Sequence, residues 1–441
     1  MDELERFRAL LRIPTVSGPE AEGSDRAAFD RFRTELATGY PRLHAAAEVE
    51  TVRGRTLLLR WPGRDARLAP VVLMAHQDVV DPGDETAWAH PPFAAELVGD
   101  GPEQAVWGRG AADDKGALVA LLEAAERLVG EGFAPRRDVW FVFGHDEETF
   151  GGGAAAAAEL LAGRGVRPAF VLDEGGAIVP SIFPGVDAEL AAVGLAEKGV
   201  ATIRLAVREP GGHASTPPRR SAIGRLARAI VRIDARPFSA RMTPAVRGMF
   251  AAAGRGGHGF LPWLYRNAAW TAPVLMAALR RTPEGDAMTR TTRIATVVRG
   301  GHASNAIPET AEALVNVRIL PGETVAGAAA HLRAAVADPL VTVEVLQSSE
   351  PSPVSPASGL GWELIGAALA EVHPGVVLVP YTQNGATDSR HFTGIADAVY
   401  RFTPFRLSPE ERAALHAVDE RIRVASWRDG IEWYAALLRR L

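Results

Sequence analysis

Three short segments place acids or a histidine directly after an apolar run: 71–78 (VVLMAHQD), 140–148 (WFVFGHDEE) and 170–176 (FVLDEGG). Each run carries Val, Leu or Phe on both faces, the pattern of a strand buried inside a parallel sheet, where charge is tolerated only at the ends. His76, Glu147, Glu148 and Glu174 are therefore expected together at the carboxyl edge of one sheet. Open α/β sheets build their sites on that edge, and histidine gathered with carboxylates there describes a metal site.

His76 and Asp78 lie two apart at a strand end, so their side chains point the same way. One can bind a metal while the other orients it, since a metal-bound imidazole usually donates its second N–H to a carboxylate. A lone His-x-Asp would more often be a satisfied loop histidine; the neighbouring motifs reverse those odds. The segment 108–116 (GRGAADDKG) opens a helix and invites reading as a phosphate loop. It lacks the terminal Gly-Lys-Ser/Thr, and Asp113 and Asp114 would repel phosphate. One of these two acids can be complementing the helix dipole, while the flanking glycines suit a backbone bent to present the other. In 145–149 (HDEET) adjacent carboxylates follow a buried strand, an arrangement that costs free energy unless something positive sits there. One Glu can bind metal while the other faces a bound water, and Asp173-Glu174 supplies a further acid. One bridging Asp, two Glu and a hydroxide carry about −4, which two divalent ions balance and one does not.

The elements around these motifs alternate. From residue 1 to about 196 a helix near 25–36, strands at 56–61 and 71–75 and a helix at 117–129 read as βαβ architecture. The Gly151–Gly153 tract reads as a flexible turn into an Ala-rich helix. From Lys198 the pattern changes to alternating strands at 200–207, 293–299 and 311–319, a helix near 323–336 and a strand at 340–346. These form a small α+β domain with an insertion at about 234–288 that enlarges it. The Pro-punctuated 350–356 marks a hinge back, and the chain ends in an amphipathic helix that Ser426 can cap. The domains are thus 1–197 and 350–441 for the site, and 198–349 for the inserted unit.

At 441 residues two domains are expected. The absence of Cys excludes disulfides, thiolate nucleophiles and Cys–zinc sites, so a metal must use His, Asp and Glu. A net charge of −5 without a basic stripe argues against nucleic acid. No stretch reaches spanning length, so no membrane partner is expected, and the charged start without an apolar run makes the cytoplasm the default compartment.

Taken jointly, the motifs resemble the di-zinc metallopeptidases that include aminoacylase, carboxypeptidase G, the bacterial dipeptidases and carboxypeptidase S. The resemblance runs from 7–17 (FRALLRIPTVS) to the last helix and is closest to the carboxypeptidase S branch, through 387–392 (TDSRHF), 400–404 (YRFTP) and 415–420 (LHAVDE). It implies an α/β fold of zinc-exopeptidase type: a mixed, mainly parallel sheet with helices on both faces, plus an inserted α+β lid. It implies that His76 and Glu174 hold one ion, Glu148 and His416 the other, and that Asp113 bridges them, with a cis peptide between Asp113 and Asp114. Asp173 is the alternative to Glu174, and His391 the rival to His416. Asp78 resembles the residue that holds the His ligand and Glu147 the general base. In the lid, 211–215 (GGHAS) resembles the motif whose His213 stabilises the tetrahedral intermediate; 300–304 (GGHAS) repeats it around His302. Arg390, Asn305 and Arg318 resemble residues that hold the substrate's carboxylate.

The implied reaction is hydrolysis of an amide bond next to a free carboxylate, in peptides or N-acyl amino acids, by a water that two divalent ions acidify and Glu147 deprotonates. Zinc is the expected metal, with cobalt or manganese compatible with the same ligands. A homodimer is expected. The rival reading is a catalytically silent protein that keeps its metals for stability, whose mark would be loss of the base; Glu147 is intact.

Overall fold

The computed structural model describes residues 2–18 and 26–441. The helix expected near 25–36 runs Arg26–Gly39, and Asp25 lies outside the described residues. The larger sheet has the spatial order Glu48–Val52, Thr56–Trp61, Val139–Gly144, Val71–His76, Phe170–Asp173, Val399–Arg401, Leu190–Glu197 and Val377–Gln383. The strands 139–144, 71–76, 170–173 and 399–401 are mutually parallel, and antiparallel neighbours flank them. Their carboxyl ends therefore share one edge.

Every residue of Val71–His76 and Val139–Gly144 is buried, because alternate side chains enter two different cores. Val71, Leu73 and Ala75 pack toward helices Lys115–Gly130 and Val424–Leu438, whereas Val72 and Met74 pack toward helix Gly153–Gly163. Both faces of the sheet are covered, which is why the strands read as unbroken apolar runs.

The Gly151–Gly153 tract serves close approach rather than flexibility. A Cβ on Gly151 would lie 1.9 Å from Asp146 Oδ2, and one on Gly153 would lie 2.3 Å from Thr56 Oγ1. Asp146 also accepts from the Gly153 amide at 3.1 Å, which ties the turn after the site strand to the next helix. The last helix is not capped by Ser426. It begins at Val424 after Arg423, and the Ser426 hydroxyl donates to the Arg406 carbonyl at 2.9 Å.

The inserted unit is a four-stranded antiparallel sheet, Thr292–Gly300, Thr310–Ile319, Gly199–Arg208 and Val341–Ser349 in order. Helices Ala222–Asp234 and Val325–Val336 cover one face through Leu226, Ile233, Leu332 and Val336 against Ile203, Leu205, Val315 and Val317. At its far tip Gly212–His213 pairs with Ala306–Ile307.

The segment expected to enlarge this lid packs elsewhere. Helices Pro244–Ala253, Phe260–Arg266 and Ala268–Leu279 bury Val246, Met249, Phe250, Tyr265 and Leu275 against Phe183, Leu190 and Val379, on the last strands of the larger sheet. Val377–Gln383 is that sheet's edge strand, and these helices cover the face that carries Val377, Val379 and Tyr381, while Leu378 packs on the main core.

Candidate active site

His76 ends its strand, Glu147 and Glu148 form a short turn after Val139–Gly144, and Asp173 ends Phe170–Asp173 with Glu174 next. Asp113 comes from the loop before helix Lys115–Gly130, where Gly110 sits at φ 84° with Val79 so close that only a glycine fits. The Asp113–Asp114 peptide is cis. His416 projects from a loop at φ 59°.

These pieces converge on Asp113. One of its oxygens lies 3.0 Å from His76 Nε2, and the other lies 3.0 Å from His416 Nε2, which is also 3.2 Å from Glu148 Oε2. Ligand atoms of His76, Asp113 and Glu148 all lie within 4.8 Å of one another. Glu148 Oε1 is buried without a hydrogen-bond partner among the described residues. Two imidazoles, a shared carboxylate and an orphaned buried oxygen suit a divalent cation. Fixed charges agree. Hydrogen bonds to Asp113 and Glu148 push the His416 pKa up to about 10. Burial, reinforced by the repulsion of Asp113, Asp114, Glu147 and Asp173, pushes Glu174 well above the usual carboxylate range.

The two acids at 173–174 behave differently. Asp173 accepts from the amides of Glu174 at 2.9 Å and Ser389 at 2.8 Å, so it is spent on the backbone. The Glu174 carboxylate makes no hydrogen bond among the described residues and sits in the field of Asp113. Glu147 is buried, and its carboxylate is likewise unbonded. Burial first, then Asp388, Glu148 and Asp78, raise its proton affinity well above that of an ordinary Glu. Asp388 is itself buried, with neither oxygen hydrogen-bonded among the described residues.

Asp78 steadies both sides of the cluster. His76 Nδ1 donates to the Asp78 backbone carbonyl at 2.9 Å, with the carboxylate at 3.5 Å, and this leaves Nε2 free to act as a ligand. The Asp78 carboxylate instead accepts from the amides of Glu147 at 3.3 Å and Glu148 at 3.2 Å. Arg390 stacks over Phe150, 5.3 Å from the ring centroid, directly beyond the Glu147–Thr149 turn, and donates to the Thr387 carbonyl. His391 stays apart from Asp113; burial and the Arg390 charge lower its pKa to about 4.

The lid residues do not join this cluster. His213 bonds Ser215 at 2.7 Å, and the Asn305 carbonyl accepts from the Ala214 amide at 3.0 Å, so both occupy the lid's far tip. His302 lies in the exposed loop between Thr292–Gly300 and Ala306–Ile307. Arg318 sits at the opposite end, paired in register with Val200 beside the domain crossing, and donates to Asn316. From Thr310 to Arg318 is eight residues of strand, roughly 27 Å.

Sequence reasoning missed Glu420. Fully buried, it accepts from Arg109 Nη1 at 2.8 Å and from the amides of Gly110, Ala112 and Asp113 at 3.0, 2.9 and 3.1 Å. It thus locks the Asp113 loop to the loop that carries His416. Its place four residues after His416 was visible, but its burial was not. Glu420→Gln is expected to cost about 3 kcal/mol by leaving Arg109 buried beside a neutral partner, and to weaken metal binding about 10- to 100-fold. Thermal unfolding and metal titration check this; unaltered metal affinity would show that the loop holds Asp113 without Glu420.

A mainly parallel sheet gathering these groups at its carboxyl edge, in a chain with an inserted second sheet, defines a metal-dependent hydrolase. The chain belongs to the peptidase family M20/M25/M40, whose model it matches over residues 72–440. It is 32% identical over 441 residues to a carboxypeptidase S-like protein of Dictyostelium discoideum, covering 99% of this chain and 84% of that protein. It is 34% identical over 447 residues to the N-fatty-acyl-amino acid synthase/hydrolase PM20D1 of Homo sapiens, covering 99% and 87%. A family M20 metallo-carboxypeptidase from Sulfolobus solfataricus has the same fold, with a TM-score of 0.71 at 18% identity over 100% of this chain and 99% of that one. The chain is accordingly a hydrolase of a metal-dependent family, as the motifs implied, and lies near the carboxypeptidase S branch.

Proposed function

We propose that this protein hydrolyses an amide bond next to a free carboxylate, in peptides or N-acyl amino acids, with two divalent ions, zinc by preference. The observation that carries this reading is the Asp113 carboxylate, with one oxygen 3.0 Å from each imidazole. His76 and Glu174 would hold one ion, Glu148 and His416 the other, and Asp113 both. The free Glu174 carboxylate and the backbone-bound Asp173 favour Glu174 as ligand. Bound there, such ions supply Lewis acidity toward water and the scissile carbonyl.

Glu147 is the proton carrier in this scheme. Its carboxylate takes the proton from the attacking water and returns it to the leaving nitrogen, and its raised proton affinity suits both transfers. Asp78 positions His76 and the Glu147–Glu148 turn. Arg390, already oriented by Phe150, clamps the substrate carboxylate. His213 acts on charge that develops at the carbonyl oxygen in the transition state. Asn305 shares the lid tip with His213, whereas Arg318 of the same lid is far from both. A carboxylate touched by Asn305 and Arg318 together would draw them from two chains, as a homodimer would allow.

Two measurements test this. N-acyl amino acids and dipeptides should be hydrolysed while their C-terminal methyl esters are not; comparable turnover of the esters would remove the carboxylate clamp. In single-turnover kinetics His213→Ala should slow the chemical step at least about 100-fold with metal content unchanged, and His302→Ala much less. A larger defect in His302→Ala would transfer the role to the second copy of the motif.

A further inference from the structure

Helix Ala268–Leu279 (AAWTAPVLMAAL) has no charged residue, yet only Ala268 and Leu275 are buried. A helix apolar all round normally lies inside a core or a lipid phase. Its underside and that of Phe260–Arg266 are satisfied by Phe183, Phe250 and Tyr265, whose rings lie 5.3–5.8 Å apart. What remains faces outward: Trp270 is 88% exposed, Phe260 71%, Val274 61%, Trp263 50% and Leu261 41%, with Ile182, 71% exposed, beside them on the loop that packs against Leu261 and Pro262. Phe260 and Trp263 stack on one another at 6.1 Å. None of these outward side chains is needed to close the core.

The charge around this face is mostly positive, with Asp187 on the Ile182 loop and Asp286 already paired with Arg280 and Arg290. Residues 241–281 contain six arginines and no acid, in a chain whose net charge is −5. Arg247, Arg255 and Arg281 are exposed and form no ion pair among the described residues. We infer that helices Phe260–Arg266 and Ala268–Leu279 dock the protein on an anionic lipid surface, with the aromatic side chains entering the interface and the arginines meeting the headgroups. A second copy of the chain fits less well, because an isologous contact would set the same arginines against one another. Spanning length is not required: no helix among the described residues is long and apolar enough to cross a membrane, and a face lying on the surface needs no such helix. The expectation of no membrane partner rested on spanning length alone. The inference is independent of the reaction proposed above.

The test is flotation of the full chain with vesicles of phosphatidylcholine alone or mixed with phosphatidylglycerol. Binding to the anionic vesicles is expected, with loss at high salt. Trp263→Ser/Trp270→Ser should weaken it about tenfold or more, and Arg255→Ser and Arg281→Ser roughly fivefold each. All four side chains are exposed, so the variants should keep wild-type hydrolysis. Absence of binding to anionic vesicles, or binding that the double Trp variant leaves unchanged, would overturn the inference. So would a wild-type dimer that the same variant converts to monomer, since the face would then be covered by a second copy.

Discussion

Glu147→Gln should keep its metals and lose at least about 100-fold in turnover, the contribution expected of a positioned base. The amide matches the carboxylate in shape but cannot accept a proton. The nearest charged carboxylates are committed elsewhere: Asp78 is held by two backbone amides and Asp113 lies between the imidazoles. Because the Glu147 carboxylate makes no hydrogen bond to the described residues, the exchange breaks none, and fold and metal content should survive. Metal analysis and steady-state kinetics on one preparation decide the matter. Near-normal turnover in the metal-replete variant would remove Glu147 from the proton path.

Asp113→Ala should be more severe, with both ions lost together and turnover lowered more than about 1,000-fold. His76 and His416 approach the same carboxylate from opposite sides, so its removal takes one ligand from each ion and leaves Glu148 and Glu174 with no shared anchor. Metal affinity in such sites is coupled to how well the ligands are held before binding. The distinguishing result is stoichiometry. Loss of a single ion, with the other retained at normal affinity, would mean that Asp113 serves one ion only.

Much of this site was legible in the chain because a buried parallel strand leaves a plain trace. VVLMAH and VWFVFG are apolar on both faces, and the first polar residues after them fall at the sheet edge. The lid strands were legible for the opposite reason: Gly199–Arg208 and Thr310–Ile319 alternate along their length, with one face on helices and the other toward solvent. What stayed hidden was long-range. Ala268–Leu279 has no amphipathic stripe to say which side it buries, so its attachment to the larger sheet rather than the lid could not be read. Glu420 looks like any surface acid until folding brings it beneath the Asp113 loop. The Gly151–Gly153 tract suggested flexibility, whereas it exists to let Asp146 and Thr56 approach. His213 and Arg318 carry motif signals, but a motif cannot say that Arg318 stands at one end of the strand pair 199–208/310–319 and His213 in a separate short pair beyond the other end.

The central claim is that one carboxylate, Asp113, joins two ions at the carboxyl edge of the larger sheet. Anomalous diffraction at the zinc edge from crystals of the zinc-loaded protein tests it most directly. Two peaks about 3.5–4 Å apart are expected, with Asp113 between them, His76 and Glu174 on one side and Glu148 and His416 on the other. A single peak in fully active protein, or two peaks not bridged by Asp113, would contradict it.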